Sequence, residues 1–458
     1  MEIIGIISLP NWLVGILASV LAICVYTWYK QSLFRRLGIP TKKTVFLLGD
    51  FVDMLKEGFS YISMDLYKKH GKVFGLYTGN KPTMVISDPD IIKHIMVKDF
   101  EHFTDRPQFI MLSKFWRSAM SFASGDAWRN IRHTLSPSFT SGKMRNMTPY
   151  LHRCLDIFHG LLEKNIEEHP QGFDIDPMVR CYTMDVICAT SFGLEVSAQT
   201  DLENPFIKHS KEFLDINPSG NPLFIIQILF PELANAFPKL FESNLVAKHA
   251  IDFFKNASIS LFEDRKKSDA NYKDLLQLMV NANKQAENEE TSGGKRKGLT
   301  DDEILTNSVT FMVGAYDTTA ATIVWILYEM ALHQDLQQKL VDEIEEQIGE
   351  KELSYDNVFT MRYVDMVMSE TLRMHPPNTR LGRQPDCDIE ICGVKIPKGM
   401  DCTISTDIVH FLEEYWEDPY TFNPERFSPE NKSKINEYAY LPVRGGAAEL
   451  CGYASSPA

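Results

Sequence analysis

An acid and an alcohol stand side by side in a long apolar stretch. Residues 308–327 read SVTFMVGAYDTTAATIVWIL, and Asp317 is the one charge among them. A carboxylate in such surroundings is costly unless it serves a polar site. Next to Thr318 it could pass protons to a bound oxygen species. Thr318 could also bond the carbonyls of its own helix and slightly open the turn. Gly314 and Ala315 just upstream are small enough for a flat ligand to reach the backbone. Alone, an Asp-Thr-Thr triplet is more often a helix irregularity than an active site.

Two further groups carry chemistry. Glu370 and Arg373 are three apart in VMSETLRMHPP, so they share one helical face. On a surface such a pair is worth about 0–1 kcal/mol. Buried, it needs further partners, and Arg426 in Pro424-Glu425-Arg426-Phe427 is a candidate. Trp128 and Arg132 lie four apart in GDAWRNIRHTLSPSF, Arg106 sits between Asp105 and Pro107, and Arg380 follows the helix stop Pro376-Pro377. Cations converging from separate segments could hold the carboxylates of an acidic ligand. Singly, each reads as a surface arginine.

The elements that must position these residues are mainly helical. From about 90 to 360, apolar residues recur at three- and four-residue steps. Residues 308–327 predict a long, almost fully buried helix with interruptions at the small and polar residues. Residues 72–88 predict a hairpin around a Gly-Asn-Lys-Pro turn. Short strands return in 387–405, with a turn at Cys392-Gly393. Residues 284–299 are polar and glycine-containing and predict an exposed loop. Residues 222–240 carry large apolar residues between prolines. They suit a membrane contact or a pocket lip as well as a buried helix.

Trp12 to Tyr29 is uncharged and apolar or small, long enough to cross about 30 Å of hydrocarbon. Trp12, Tyr26, Trp28 and Tyr29 mark its ends, as an interfacial belt would. Lys30, Arg35 and Arg36 follow it, whereas Glu2 is the only charge before it, so the body is expected on the cytosolic side. A cleaved signal peptide fits less well, because no small-residue cleavage site follows. Leu37-Gly38-Ile39-Pro40 reads as a hinge. Residues 1–36 are therefore expected to be an anchor with its basic stop, and 37–458 a single catalytic body.

The chain has 458 residues, 44% hydrophobic and 24% charged, with a formal net charge of −14. That acidity argues against a nucleic-acid partner. Eight cysteines are scattered without a CxxC pair or zinc spacing, which excludes a disulfide scaffold and fits a reducing compartment.

In order and spacing, the hinge, Trp128…Arg132, Gly314–Thr319, Glu370-x-x-Arg373 and Pro424–Phe427 resemble the cytochrome P-450 monooxygenases along essentially the whole chain. The wording is closest to their microsomal family-three branch. The resemblance implies a mainly α fold with a small β portion behind one transmembrane helix. It implies haem b with an axial cysteine thiolate, O2, an apolar small-molecule substrate, and an NADPH-dependent flavoprotein reductase at an endoplasmic reticulum membrane. It assigns proton delivery to Asp317 and Thr318, and the proximal network to Glu370, Arg373 and Arg426. It assigns haem contacts to Arg106, Trp128, Arg132, Ala315 and Arg380. Arg129, Lys143 and Arg145 are candidate reductase contacts. The order Gly314-Ala315 reverses the family's usual Ala-Gly.

The tail departs from that pattern. The family reads Leu-Pro-Phe-Gly-x-Gly-x-Arg-x-Cys-x-Gly where this chain reads Leu441-Pro442-Val443-Arg444-Gly445-Gly446-Ala447-Ala448-Glu449-Leu450-Cys451-Gly452. Cys451 falls one position late. One extra G before codons for Phe-Gly-Ala-Gly-Pro-Arg-Asn-Cys-(Ala or Val)-Gly-Met-Arg accounts for the difference. TTC GGG becomes GTT CGG, which encodes Val443 and Arg444, and synonymous codons give every residue through Ala454. A shifted reading frame in the ligand loop is therefore expected. The fold is expected to lack its C-terminal elements, Cys451 to be a poor iron ligand, and this polypeptide to bind haem weakly. Two other readings stand beside the monooxygenase: a prostanoid-type peroxide isomerase on the same fold, and an inert product.

Overall fold

The structure is a computed structural model, and it describes residues 10–107, 114–201, 203–215, 222–237, 248–268, 272–290 and 298–442. The chain opens with α1 (Asn11–Gln31), whose apolar side chains are mostly exposed. A short helix follows and ends at Gly38, whose positive φ of 73° makes the predicted hinge a left-handed cap. The hairpin forms from β1 (Val73–Thr78) and β2 (Lys81–Ile86). Its turn is shorter than expected. Gly79 and Asn80 make it, while Lys81 and Pro82 already pair with Thr78 and Tyr77.

The helical body comprises α2 (Gly125–Leu135), α3 (Ser141–Glu168), α4 (Asp176–Phe192), α5 (Pro205–Leu214), α6 (Pro222–Leu229), α7 (Pro231–Ala236), α8 (Lys248–Lys267), α9 (Leu275–Glu290), α10 (Asp301–Leu332) and α11 (Arg362–Met374). β3 (Arg380–Arg383), β4 (Ile389–Ile391), β5 (Val394–Ile396) and β6 (Asp401–Ser405) complete it. The four-stranded sheet runs β1-β2-β6-β3, and β4-β5 form a separate ribbon. Cys392 and Gly393, both at positive φ, turn that ribbon as the sequence predicts.

Three expectations change. The 308–327 helix is longer and unbroken, because β-branched and small residues still satisfy every backbone bond. It begins at a capping box in which Thr300 and Glu303 exchange hydrogen bonds of 2.8 and 3.2 Å. Nor is it almost fully buried, as one face is open from Gly314 onward. The expected loop at 284–299 begins as helix, since α9 runs on to Glu290. Residues 291–297 lie outside the described residues. The 222–240 segment is two short helices broken at Pro231, with 238–240 outside the described residues.

Those two short helices meet the base of α1. Tyr26 stacks on Phe230 at 6.3 Å, Asn80 Nδ2 donates to the Leu229 carbonyl at 2.8 Å, and Lys30 pairs with Glu232. Leu233 and Phe237 remain exposed beside them. The main core lies between α2, α8, α9 and the first half of α10. Trp128, Ile131 and Leu135 pack there with Phe254, Met279, Val309 and Met312. A second core under the sheet holds Leu381, Ile404, Val409 and the approach to the tail, Tyr438-Ala439-Leu441.

Candidate active site

On α10, Phe311, Met312, Val313 and Tyr316 are buried, whereas Gly314, Thr318 and Thr319 are exposed. A Cβ at Gly314 would meet no atom within 4 Å. A bare patch thus sits midway along a helix that is otherwise core. Thr318 Oγ1 donates to the Gly314 carbonyl at 2.8 Å, so its hydroxyl is held against its own helix at that patch. Ala315 is half-buried beside it.

Asp317 points elsewhere. Its carboxylate pairs with Arg180 on α4, and Arg180 Nε also donates to Asp176 at 2.7 Å. These groups line a 220 Å³ cavity with Lys211 and Tyr316. The two adjacent residues therefore face different surroundings, and the acid is neutralised by a cation 137 positions away. Sequence reading missed Arg180, because nothing local to it signals a distant acid.

The Glu370–Arg373 pair is completely buried. Arg373 Nε and Nη2 donate to the two Glu370 oxygens at 2.7 and 2.8 Å, a bidentate fork. Arg373 Nη1 donates to the His410 carbonyl at 2.8 Å. Glu370 also accepts the Asn423 amide at 3.0 Å and Arg426 Nε at 3.3 Å, so the third partner expected from the sequence is present. With those bonds made, the buried charges are compensated.

His410 was not foreseen, since an isolated histidine in DIVHFL gives no signal. It is fully buried. Nδ1 faces the Arg373 carbonyl at 2.8 Å, and Nε2 accepts the Leu441 amide at 2.8 Å. Accepting at Nε2 fixes the proton on Nδ1. Burial, partly offset by the Arg373 carbonyl, pushes its pKa down to about 3, so it stays neutral. The ring thereby ties the buried ion pair to the residue that opens the tail.

The three expected cofactor cations, Arg106, Arg132 and Arg380, and their aromatic partner lie on joined segments. Trp128 is buried, and the Arg132 guanidinium stands 5.2 Å from its ring centroid. Phe100 packs on Trp128 at 6.0 Å. The segment running from Phe100 to Arg106 joins the chain just past β3, as Gln384 N–H donates to the Asp105 carbonyl at 2.8 Å. Gly382 admits Pro107 so closely that a Cβ would come within 2.7 Å of it. Arg106 thus lies beside the strand that carries Arg380, and Arg380 packs its guanidinium 4.5 Å from the Phe59 ring. Across the molecule, Trp325 of α10 stacks on His375 at 3.8 Å, which locks α10 against the end of α11.

Cys451 lies outside the described residues. The seven described cysteines are free. Burial raises the thiol pKa values of Cys188 and Cys402, and neither is near the bare face in sequence. Of the expected reductase contacts, Arg129 pairs with Asp126 at 2.9 Å, Arg145 pairs with Asp356, and Lys143 lines an open groove of about 860 Å³ between α2, α3 and α9. That groove touches none of the residues expected at the cofactor.

A bare small-residue patch on a core helix, with an acid–alcohol pair and a buried Glu–Arg fork, belongs to a recognisable class of haem enzyme. A family model described as Cytochrome P450 matches residues 39–446, so the chain belongs to that family. It is similar to Cytochrome P450 3A9 of Rattus norvegicus, 36% identical over 455 residues that cover 99% of this chain and 88% of the relative. Cytochrome P450 3A28 of Bos taurus is likewise 36% identical, and Cytochrome P450 3A13 of Mus musculus is 35% identical, with the same coverage. The protein is an oxidoreductase of the haem monooxygenase type, with a haem–thiolate iron cofactor, O2 and a small-molecule substrate.

Proposed function

We propose that this chain is a membrane-anchored monooxygenase that inserts one atom of O2 into an apolar steroid, lipid or xenobiotic, with electrons from an NADPH-dependent flavoprotein reductase. The observation that carries it is the bare face at Gly314, Ala315 and Thr318, where an added Cβ at Gly314 meets no atom within 4 Å and the backbone is open to a flat cofactor. Haem with a cysteine thiolate supplies the electron density that favours O–O cleavage. Arg106, Arg132 and Arg380 hold its carboxylates, and Trp128 packs beside them. Glu370, Arg373 and Arg426 brace the proximal side. Thr318 would hold a proton at Oγ1 on the bare face, where O2 would be activated. Asp317 supplies protons from the 220 Å³ cavity once its carboxylate leaves Arg180.

Residues 1–36 anchor the body in the endoplasmic reticulum membrane as a single pass, with residues 37–458 in the cytosol. The long, exposed, apolar α1 and the exposed Leu233 and Phe237 at its base support this. Cys451 would supply the thiolate that holds the iron in this chain, one position out of register with the family's ligand cysteine. Two experiments test the reading. Protease treatment of intact microsomes should degrade the body and spare a short N-terminal fragment, whereas a protected body overturns the topology. Turnover of a steroid with reductase and NADPH, after removal of the extra base, should give a hydroxylated product. Isomerisation of an endoperoxide without NADPH would favour the peroxide isomerase instead.

A further inference from the structure

Three ligand-type side chains converge where α5 meets α8, away from the bare face of α10. His209 and Glu212 are three apart on α5, so they project from one face. His249 comes from the first turn of α8. His209 Nδ1 and His249 Nε2 each lie 2.8 Å from the same oxygen, Glu212 Oε2, and all the donor atoms fall within 4.8 Å of one another. The helices that carry them are fixed by an aromatic cluster. Phe206 meets Phe253 and Phe254 at 5.1 and 6.0 Å, and His209 itself packs on Phe253 at 4.4 Å. His209 is therefore oriented before any ligand arrives.

The geometry points to a site for a first-row transition dication, with His209, Glu212 and His249 as its protein ligands and water completing the shell. Two imidazoles and one carboxylate suit Zn2+, Co2+ or Ni2+, whereas Mg2+ and Ca2+ ask for oxygen ligands. Tetrahedral zinc with bonds of about 2.0–2.2 Å holds its donors roughly 3.3 Å apart. The present 2.8 Å contacts need to open by only about half an ångström to admit it. Each ring then shifts its proton to its other nitrogen, and Oε2 exchanges two N–H bonds for one metal bond. The exposure of His249, at 64% of its side chain, leaves room for the water ligands. A bound ion would cross-link α5 to α8, the helices that flank the apolar α6–α7 segment in sequence.

The test uses the full chain in detergent, stripped of metal with a chelator and titrated with Zn2+ in a calorimeter. His249→Ala and Glu212→Gln are the comparison variants, the first at an exposed position that folding does not depend on. The wild-type chain should bind one more equivalent of Zn2+ than either variant. Zn2+ should raise its Tm and leave theirs unmoved. Co2+ should give the visible bands of a low-coordinate site in the wild type alone. Equal stoichiometry and equal Tm response in all three proteins would overturn the proposal and leave a hydrogen-bonded trio.

Discussion

The two sides of the expected cofactor differ in how their polar groups are held. At Glu370–Arg373–His410 the side chains are fully buried, and the fork, the carbonyl bonds and the Leu441 amide account for their polar atoms. At Asp317–Thr318 the alcohol is exposed and bonds only its own helix, while the acid is partly exposed and turned toward Arg180. The first arrangement resists change, because breaking one bond strands a buried charge. The second can change partners at small cost, because solvent screens what is lost. The buried region fixes where the tail begins, and the open region leaves a carboxylate and a hydroxyl free to change partners.

The largest expected effect is at the fork. Arg373→Ala should cost about 3–5 kcal/mol, since it leaves Glu370 charged and buried. Chemical denaturation of the two proteins would read this directly. A loss under about 1 kcal/mol would mean the pair is solvated in solution.

His410→Phe should cost about 1–3 kcal/mol, because it leaves the Leu441 amide unsatisfied. It should also change the pH dependence. An unfolded histidine takes a proton below about pH 6.5, while His410 in the fold resists it until about 3. Its contribution is therefore present in full above about pH 6.5 and is lost as pH falls toward 3. Comparing the stability of wild type and His410→Phe between these limits should show a steeper fall in the wild type. Parallel curves would place His410 in contact with water.

The open side should show the opposite balance. Thr318→Ala removes a solvent-facing hydroxyl and should shift stability by no more than about 0.5 kcal/mol. In a register-restored chain it should lower product formed per NADPH consumed, as general acid catalysis is worth about 10²–10⁴-fold. Arg180→Gln releases Asp317 from a partly exposed pair and should cost about 0–1 kcal/mol. If proton delivery waits on that release, the variant should raise the rate of the proton-dependent step. A large stability loss in either variant would erase the contrast between the two sides.

The sequence disclosed residues whose partners are close by. Glu370 and Arg373 announce themselves by three-residue spacing, and Trp128 and Arg132 by four, because a helix converts spacing into a shared face. The ribbon turn at Cys392-Gly393 was legible for the same reason. Arg180 and His410 were not legible, because they owe their roles to Asp317 and Leu441, which tertiary packing brings to them. The direction of Asp317 was also hidden, since one residue along a helix turns a side chain by about 100°. The unbroken course of α10 shows tertiary burial overriding the weak helix preference of its glycine and threonines.

The account rests most heavily on the ligand loop that starts at Leu441. The decisive measurement is the reduced carbon monoxide difference spectrum of the purified, haem-supplemented chain beside a version in which residues 443–454 are put back in the reading frame expected of the family. The account predicts a strong thiolate-type Soret band from the restored chain and little or none from the chain as it stands, with a weak remnant abolished by Cys451→Ser. A full thiolate band from the unaltered chain would contradict it, and would show that Cys451 reaches iron as well as a cysteine in register.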